Sequence, residues 1–388
     1  MKGYLHIGMP KTATTSIQNT LYSHRDHLLA KGRILYPALD ANLTTPLCSM
    51  FLENPQKHVT NRLISKEDLP GIISGYFAAL ESDLKRSGFD TIVFSAEGLA
   101  NLRAPEISRL KDWLYGFCHD WTILFWARHP VGWTTSNIQQ ILKSGLPLES
   151  IPVCHNLPNY KGRLTHWIKL FGKETIQLSN FDEIITQPGG AVAHFARQIG
   201  LDAHITDLLV REQQHENMSM SHECAELLSA LNRLRPMIVD NKLGLQRTGR
   251  ELELFMQIPG RKFELSPAAR AEIRELSRSD VAWLNETFGV SYYPDLFDEP
   301  YAPGPESETG SQRWQQNSIE ALALIFSNLI NSNFALQRAH AAEAAVREKR
   351  FTDAVKLYSE AARVNPHNAT YRKRAEALRR NHGLVDIN

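Results

Sequence analysis

Through its first 180 residues the chain alternates two hydrophobic patterns. Short, mostly apolar runs at 4–7, 33–36, 91–95, 122–127 and 175–178 are separated by longer stretches at 14–30, 70–86, 105–118, 131–144 and 160–171, where apolar positions recur three and four residues apart. The short runs read as strands covered on both faces, the longer ones as amphipathic helices. Strands that alternate with helices predict an α/β fold, a parallel sheet between helices. Gly88 and Gly172 follow two of the helical stretches and serve as stops.

Beyond residue 202 the strand pattern fades and helical patterns take over at 221–234, 267–276 and 280–288. At 299–312, three prolines and two glycines among polar residues leave little to bury, so a linker is expected. The expected organisation is a sheet domain over 1–298, a linker over 299–312 and a helical segment over 313–388. In that last segment Ala342, Phe351, Ala354, Tyr358, Ala361 and Pro366 follow a small–aromatic–small pattern that lets two antiparallel helices approach closely. The segment resembles one tetratricopeptide repeat. A lone repeat cannot bury its own face, so flanking helices at 314–332 and 370–380, a partner or a second copy must cover it.

Composition narrows the function. Hydrophobic residues make up 43% and charged residues 22%, a globular mix, and the formal net charge of +1 excludes a whole-surface polyanion binder, so any basic site is local. The first twenty residues lack the apolar run of a secretory signal, and no stretch approaches a membrane span, so a cytoplasmic location is expected. The four cysteines are widely spaced and read as reduced packing residues, and no histidine spacing suggests a metal site.

The chemistry concentrates in three places, each at the end of an expected strand. The first is Gly8-Met9-Pro10-Lys11-Thr12-Ala13-Thr14-Thr15-Ser16, a turn from strand into helix. Backbone N–H groups, a helix N-terminus, the Lys11 charge and several hydroxyls form an anion cradle. Against the nucleotide-kinase pattern GxxxxGK[ST], Gly8 is in place, but Ala13 and Thr14 stand at the glycine and lysine positions, and Lys11 comes three residues early. The second place is Arg128-His129-Pro130 with Ser136 eight residues after the arginine, a charge and a hydroxyl suited to one phosphate. The third is Glu97, a carboxylate suited to accept a hydroxyl proton.

The loop G-x-P-K-T-x-T-T and the Arg128…Ser136 spacing together resemble the PAPS-dependent sulfotransferases, a P-loop-type fold, over about residues 1–297. Ala13 stands where many members have glycine. The resemblance implies that Pro10, Lys11, Thr12, Ala13, Thr14 and Thr15 hold the 5′-phosphosulfate of 3′-phosphoadenosine 5′-phosphosulfate and that Arg128 and Ser136 hold its 3′-phosphate. Lys11 and Glu97 are then catalytic, and no metal is needed. Segments at 217–221 and 263–267 also look like bacterial members, and Arg247, Arg250, Arg261 and Lys262 are further cation candidates for the donor. The expected acceptor is a hydroxyl on a carbohydrate or small molecule, with acceptor loops at 38–68 and 143–159. A P-loop kinase and a non-catalytic nucleotide-binding or repeat-type interaction protein remain open alternatives, as does self-association through the tail.

Overall fold

The computed structural model describes residues 1–213, 220–239, 242–298 and 316–384. Within these the chain divides into two compact units, one of Met1–Thr134, Leu157–Asn217 and Arg270–Ala302, the other of Thr135–Asn156, Met218–Ala269 and Pro303–Asn388.

The first unit is built on five parallel strands, β1 (Lys2–His6), β2 (Ile34–Leu35), β3 (Thr91–Ser95), β4 (Asp120–Ala127) and β5 (Ile176–Asn180), in the order β2-β3-β1-β4-β5. All five coincide with expected runs. Alternation at period two splits their side chains between two cores. Leu5, Ile7, Ile92, Phe94, Ile123 and Phe125 face one side, against helices Ala104–Tyr115 and Tyr160–Phe171. Tyr4, Val93, Leu124 and Trp126 face the other, against helices Thr14–Ser23 and Gly190–Gln198. Because both faces are covered, β3 and most of β4 are apolar rather than alternating, whereas the edge strand β5 carries an exposed Gln177. The order also fixes where chemistry collects: β1 lies centrally, so the loop after it is flanked by the ends of β3 and β4.

The second unit is helical. The later part of helix Pro130–Lys143 supplies Ile138 and Leu142 to a core with Leu228 and Leu231 from helix His222–Leu234, and with Phe255, Ile319 and Ala323. Helix Gln316–Arg347, labelled α1, therefore shares a core with residues 218–269 instead of forming a body with the tail alone, which differs from the expected boundary at 298. The expected linker at 299–312 lies outside the described residues. Helices α2 (Phe351–Val364) and α3 (Ala369–His382) complete the tail, packed through Ala335, Ala339, Ala342, Tyr358, Ala361, Tyr371 and Ala375.

Several expectations are corrected. The pair 267–276 and 280–288 is one helix, Pro267–Phe288, and helix Gln316–Arg347 runs without a break past the expected end at 332, because neither stretch contains glycine or an interior proline. The first helix stops at Ser23 and passes through a short helix and a wide turn at Leu28–Gly32. An antiparallel hairpin, Ile238–Val239 with Lys242–Leu243, was not expected. The loop expected at 38–68 contains helix Thr44–Phe51 and two short helical turns. Of the four cysteines, Cys154 is exposed, whereas the other three are buried.

Candidate active site

The loop from β1 to helix Thr14–Ser23 turns tightly. Gly8 has φ 69°, Lys11 φ 70° and Ala13 φ 58°, all left-handed. Ala13 thus takes the conformation that glycine holds without steric cost, at roughly 1–2 kcal/mol for a residue with a Cβ. Gly8 has no such latitude: a Cβ there would lie 2.8 Å from the Glu97 Cα, so glycine is required by the approach of the β3 end as well as by its own φ. The loop is tied internally, since the Thr12 hydroxyl donates to Met9 O at 2.5 Å and the Trp133 indole donates to Pro10 O at 2.8 Å.

Glu97 and Arg128 meet this loop from opposite sides. The Thr14 hydroxyl donates to Glu97 Oε2, and Arg128 Nη1 donates to Lys11 O at 2.6 Å. Arg128 is held at its other end by Tyr160, whose hydroxyl donates to Arg128 O, and it stacks over Phe181 at 5.3 Å. Its Nε is buried with no hydrogen-bond partner. Burial lowers the Arg128 pKa while Asp182, Tyr293 and Tyr160 oppose that shift, and a guanidinium stays charged at neutral pH regardless. Thr15 is exposed, Pro10 and Lys11 are half-buried, and Ser136 lies further along helix Pro130–Lys143, in the second unit.

Beside Arg128 is a cavity of about 380 Å³ lined by His129, Val131, Gly132, Asp182, Arg270 and Arg274. The His129 backbone N–H donates to Asp182 Oδ2 at 2.5 Å, its Nε2 lies 3.2 Å from Asp295 Oδ2, and Arg274 Nη1 donates to that same oxygen at 2.6 Å. Val131 N donates to His129 Nδ1 at 3.2 Å. Burial raises the Asp295 carboxyl, but His129 and Arg274 outweigh it and hold it below the usual carboxylate range. Sequence reasoning missed Asp182, Arg270, Arg274 and Asp295. Asp182 had a usable signal, its place just after the carboxyl end of β5. The pairing of Arg274 with Asp295 had none.

In the second unit, Arg247 is fully buried, donates to Asn232 Oδ1 at 3.1 Å and Arg235 O at 2.7 Å, and faces Glu251 at 3.7 Å. It is an interior residue rather than the expected donor contact. Arg250 reaches Gln337 at 3.3 Å, and Arg261 and Lys262 are exposed. Residues 217–219 of the expected bacterial-type segment lie outside the described residues, while the Ser221 hydroxyl caps helix His222–Leu234 by accepting from Cys224 N at 3.1 Å.

Beneath the loop, His6 Nδ1 lies 2.9 Å from Ser95 Oγ, and Gln18 Nε2 donates to the same hydroxyl at 3.1 Å. Burial pulls the His6 pKa from 6.5 down to about 3, so the folded state holds it neutral. The unfolded chain takes up that proton first. Stability is therefore fully present above about pH 6.5 and declines as pH falls toward about 3, by up to ~1.4 kcal/mol per pH unit. Denaturant melts at neutral and mildly acidic pH should show this loss, and His6→Asn, which can still bond Ser95, should flatten it. An equally steep loss in the variant would clear His6.

Among the described residues no group of three or more His, Cys, Asp or Glu could hold a metal, and no helix is long and apolar enough to cross a membrane. No protein-family model and no curated protein matches the chain. Among solved structures it is similar to a sulfotransferase from Alicyclobacillus acidocaldarius at 13% identity and a TM-score of 0.42, over 75% of this chain and 97% of that one.

Proposed function

We propose that this chain is a cytoplasmic sulfotransferase that moves a sulfuryl group from 3′-phosphoadenosine 5′-phosphosulfate to an acceptor hydroxyl. The observation that carries the reading is that Glu97 and Arg128 are each hydrogen-bonded to the Lys11 loop, from opposite sides. An acid on one flank and a cation on the other divide the site into an acceptor side and a donor-nucleoside side.

On the loop, the backbone N–H groups of residues 11–15 and the Lys11 ammonium would hold the phosphosulfate. The buried, unpaired Arg128 Nε fits a 3′-phosphate, with Arg270 and Arg274 lining the cavity beside it. The acceptor oxygen attacks sulfur, its proton passes to a Glu97 carboxylate oxygen, and the bond from sulfur to the bridging oxygen breaks. Lys11 offsets the charge that develops on that oxygen. The transferred group carries a single negative charge, so less cationic help is needed than in phosphoryl transfer.

The test is Arg128→Ala, read by titration calorimetry. Affinity for adenosine 3′,5′-bisphosphate should fall by ~1.5–3 kcal/mol, while the 5′-monophosphate is nearly unaffected. Equal losses would show that Arg128 acts only by holding Lys11 O. Magnesium-dependent turnover of ATP would replace the proposal with a kinase.

A further inference from the structure

Helix α3 is charged out of proportion to the chain. It carries five Lys or Arg against one acid, Glu376, and residues 338–382 hold eleven against five in a chain of net charge +1. Two of the α3 cations are used internally, Arg374 on Glu343 Oε1 at 2.6 Å and Arg379 on Ser359 Oγ at 3.1 Å. Arg372, Lys373 and Arg380 are exposed and make no ion pair among the described residues. Helical geometry stacks 372 above 379 and 373 above 380, two rungs about 10 Å apart on one face. The opposite face of α3 is spent on packing, through Tyr371 and Ala375. The start of α2 closes on the same end, where the Phe351 ring stacks on His382 at 3.6 Å, so exposed Lys349 adds to the cluster.

What the face lacks decides its ligand. Tyr371 is buried, and the exposed residues between the cations are Glu376, Ala377 and Asn381. With no exposed Phe, Tyr or Trp on α3, and with the His382 ring already stacked on Phe351, the face offers single-stranded bases little to stack on, and with no large apolar side chain nothing enters a bilayer. The face is a row of point charges suited to a linear polymer of fixed negative charge.

We propose that this face binds a sulfated polysaccharide, the product the proposed transfer gives when its acceptor hydroxyl belongs to a polymeric sugar. The choice of a sulfated sugar rests on that reading, whereas the basic face does not. Each transfer to a sugar hydroxyl adds one fixed negative charge, so the polymer gains affinity for the face as it is modified.

The experiment measures binding of the full chain to dextran sulfate, to unmodified dextran and to duplex DNA, over roughly 0.05–0.3 M salt. Dextran sulfate should bind more tightly than the duplex, with log affinity falling linearly against log salt. The triple change Arg372→Ala, Lys373→Ala and Arg380→Ala should weaken binding about tenfold or more and reduce the salt slope by roughly two to three. These side chains have no partners to lose, so the melting temperature should hold, and Arg372→Lys with Arg380→Lys should retain binding. Wild-type binding by the triple variant, equal binding of plain dextran, or a duplex bound as tightly as dextran sulfate would each overturn the proposal. Thermal stabilisation by adenosine 3′,5′-bisphosphate is followed on the same samples. Its absence alone overturns the transfer reading and leaves the polyanion face supported; its presence without dextran sulfate binding overturns only the face.

Discussion

Glu97→Gln is expected to slow sulfuryl transfer by roughly 10²–10⁴-fold while donor affinity stays within about a factor of two. The two halves of this expectation have separate causes. Glutamine keeps an oxygen that can accept from the Thr14 hydroxyl, so the tether between the β3 end and the loop survives. It cannot take a proton from the attacking hydroxyl. Thr14→Val makes the complementary cut, leaving the carboxylate but removing its tether. It should lower the rate less than Glu97→Gln, because the base is still present and only its placement is loosened. The acceptor is a chemical class here, so the slow transfer of labelled sulfuryl to water provides a common readout for all variants. An unchanged rate in Glu97→Gln would remove Glu97 from the mechanism and turn attention to His129, whose Nε2 already faces Asp295 at 3.2 Å.

The central strands of the first unit were legible because burial on both faces leaves short apolar runs at β1, β3 and β4. The site was legible where function sits in consecutive residues, as in the Lys11 loop, or directly at a strand end, as with Glu97 and Arg128. Tertiary requirements were not legible. Gly8 reads as a loop glycine, yet the backbone of Glu97, 89 residues later, also excludes a side chain there. Arg247 reads as a surface cation, and nothing local announces that Asn232 and the Arg235 carbonyl enclose it. Helix junctions failed for a plainer reason. Polar residues such as Ser277, Arg278 and Ser279 suggest a break, but a break needs glycine, proline or a cap, and with none present the helix continues.

Ending the chain at residue 303 is expected to unfold much of the second unit rather than trim an appendage. Helix α1 buries Ile319 and Ala323 against Leu228, Leu231 and Phe255, and removing one large aliphatic side chain from such a core costs roughly 2–5 kcal/mol. The polar contacts compound this loss. Arg233 Nη2 donates to Glu320 Oε1 at 2.7 Å, Arg235 Nη1 to Ser327 Oγ at 2.9 Å, and Asn331 Nδ2 to Gln246 O at 2.7 Å. From α2, Arg363 Nη1 donates to Gly244 O at 3.0 Å and Arg247 O at 2.9 Å, so the segment that encloses the buried Arg247 and Glu251 is itself held by the tail. Against a whole-domain stability of about 5–15 kcal/mol, these losses exceed what residues 218–269 can bear alone. Hydrogen exchange should show protection vanishing across His222–Leu234, and the helical circular dichroism should fall by more than the deleted helices account for. Ile319→Ala in the full chain should reproduce part of the effect, a loss of about 2–4 kcal/mol with the fold retained. Undiminished protection across His222–Leu234 in the shortened chain would show that those residues fold without α1, and that the boundary lies at the linker after all.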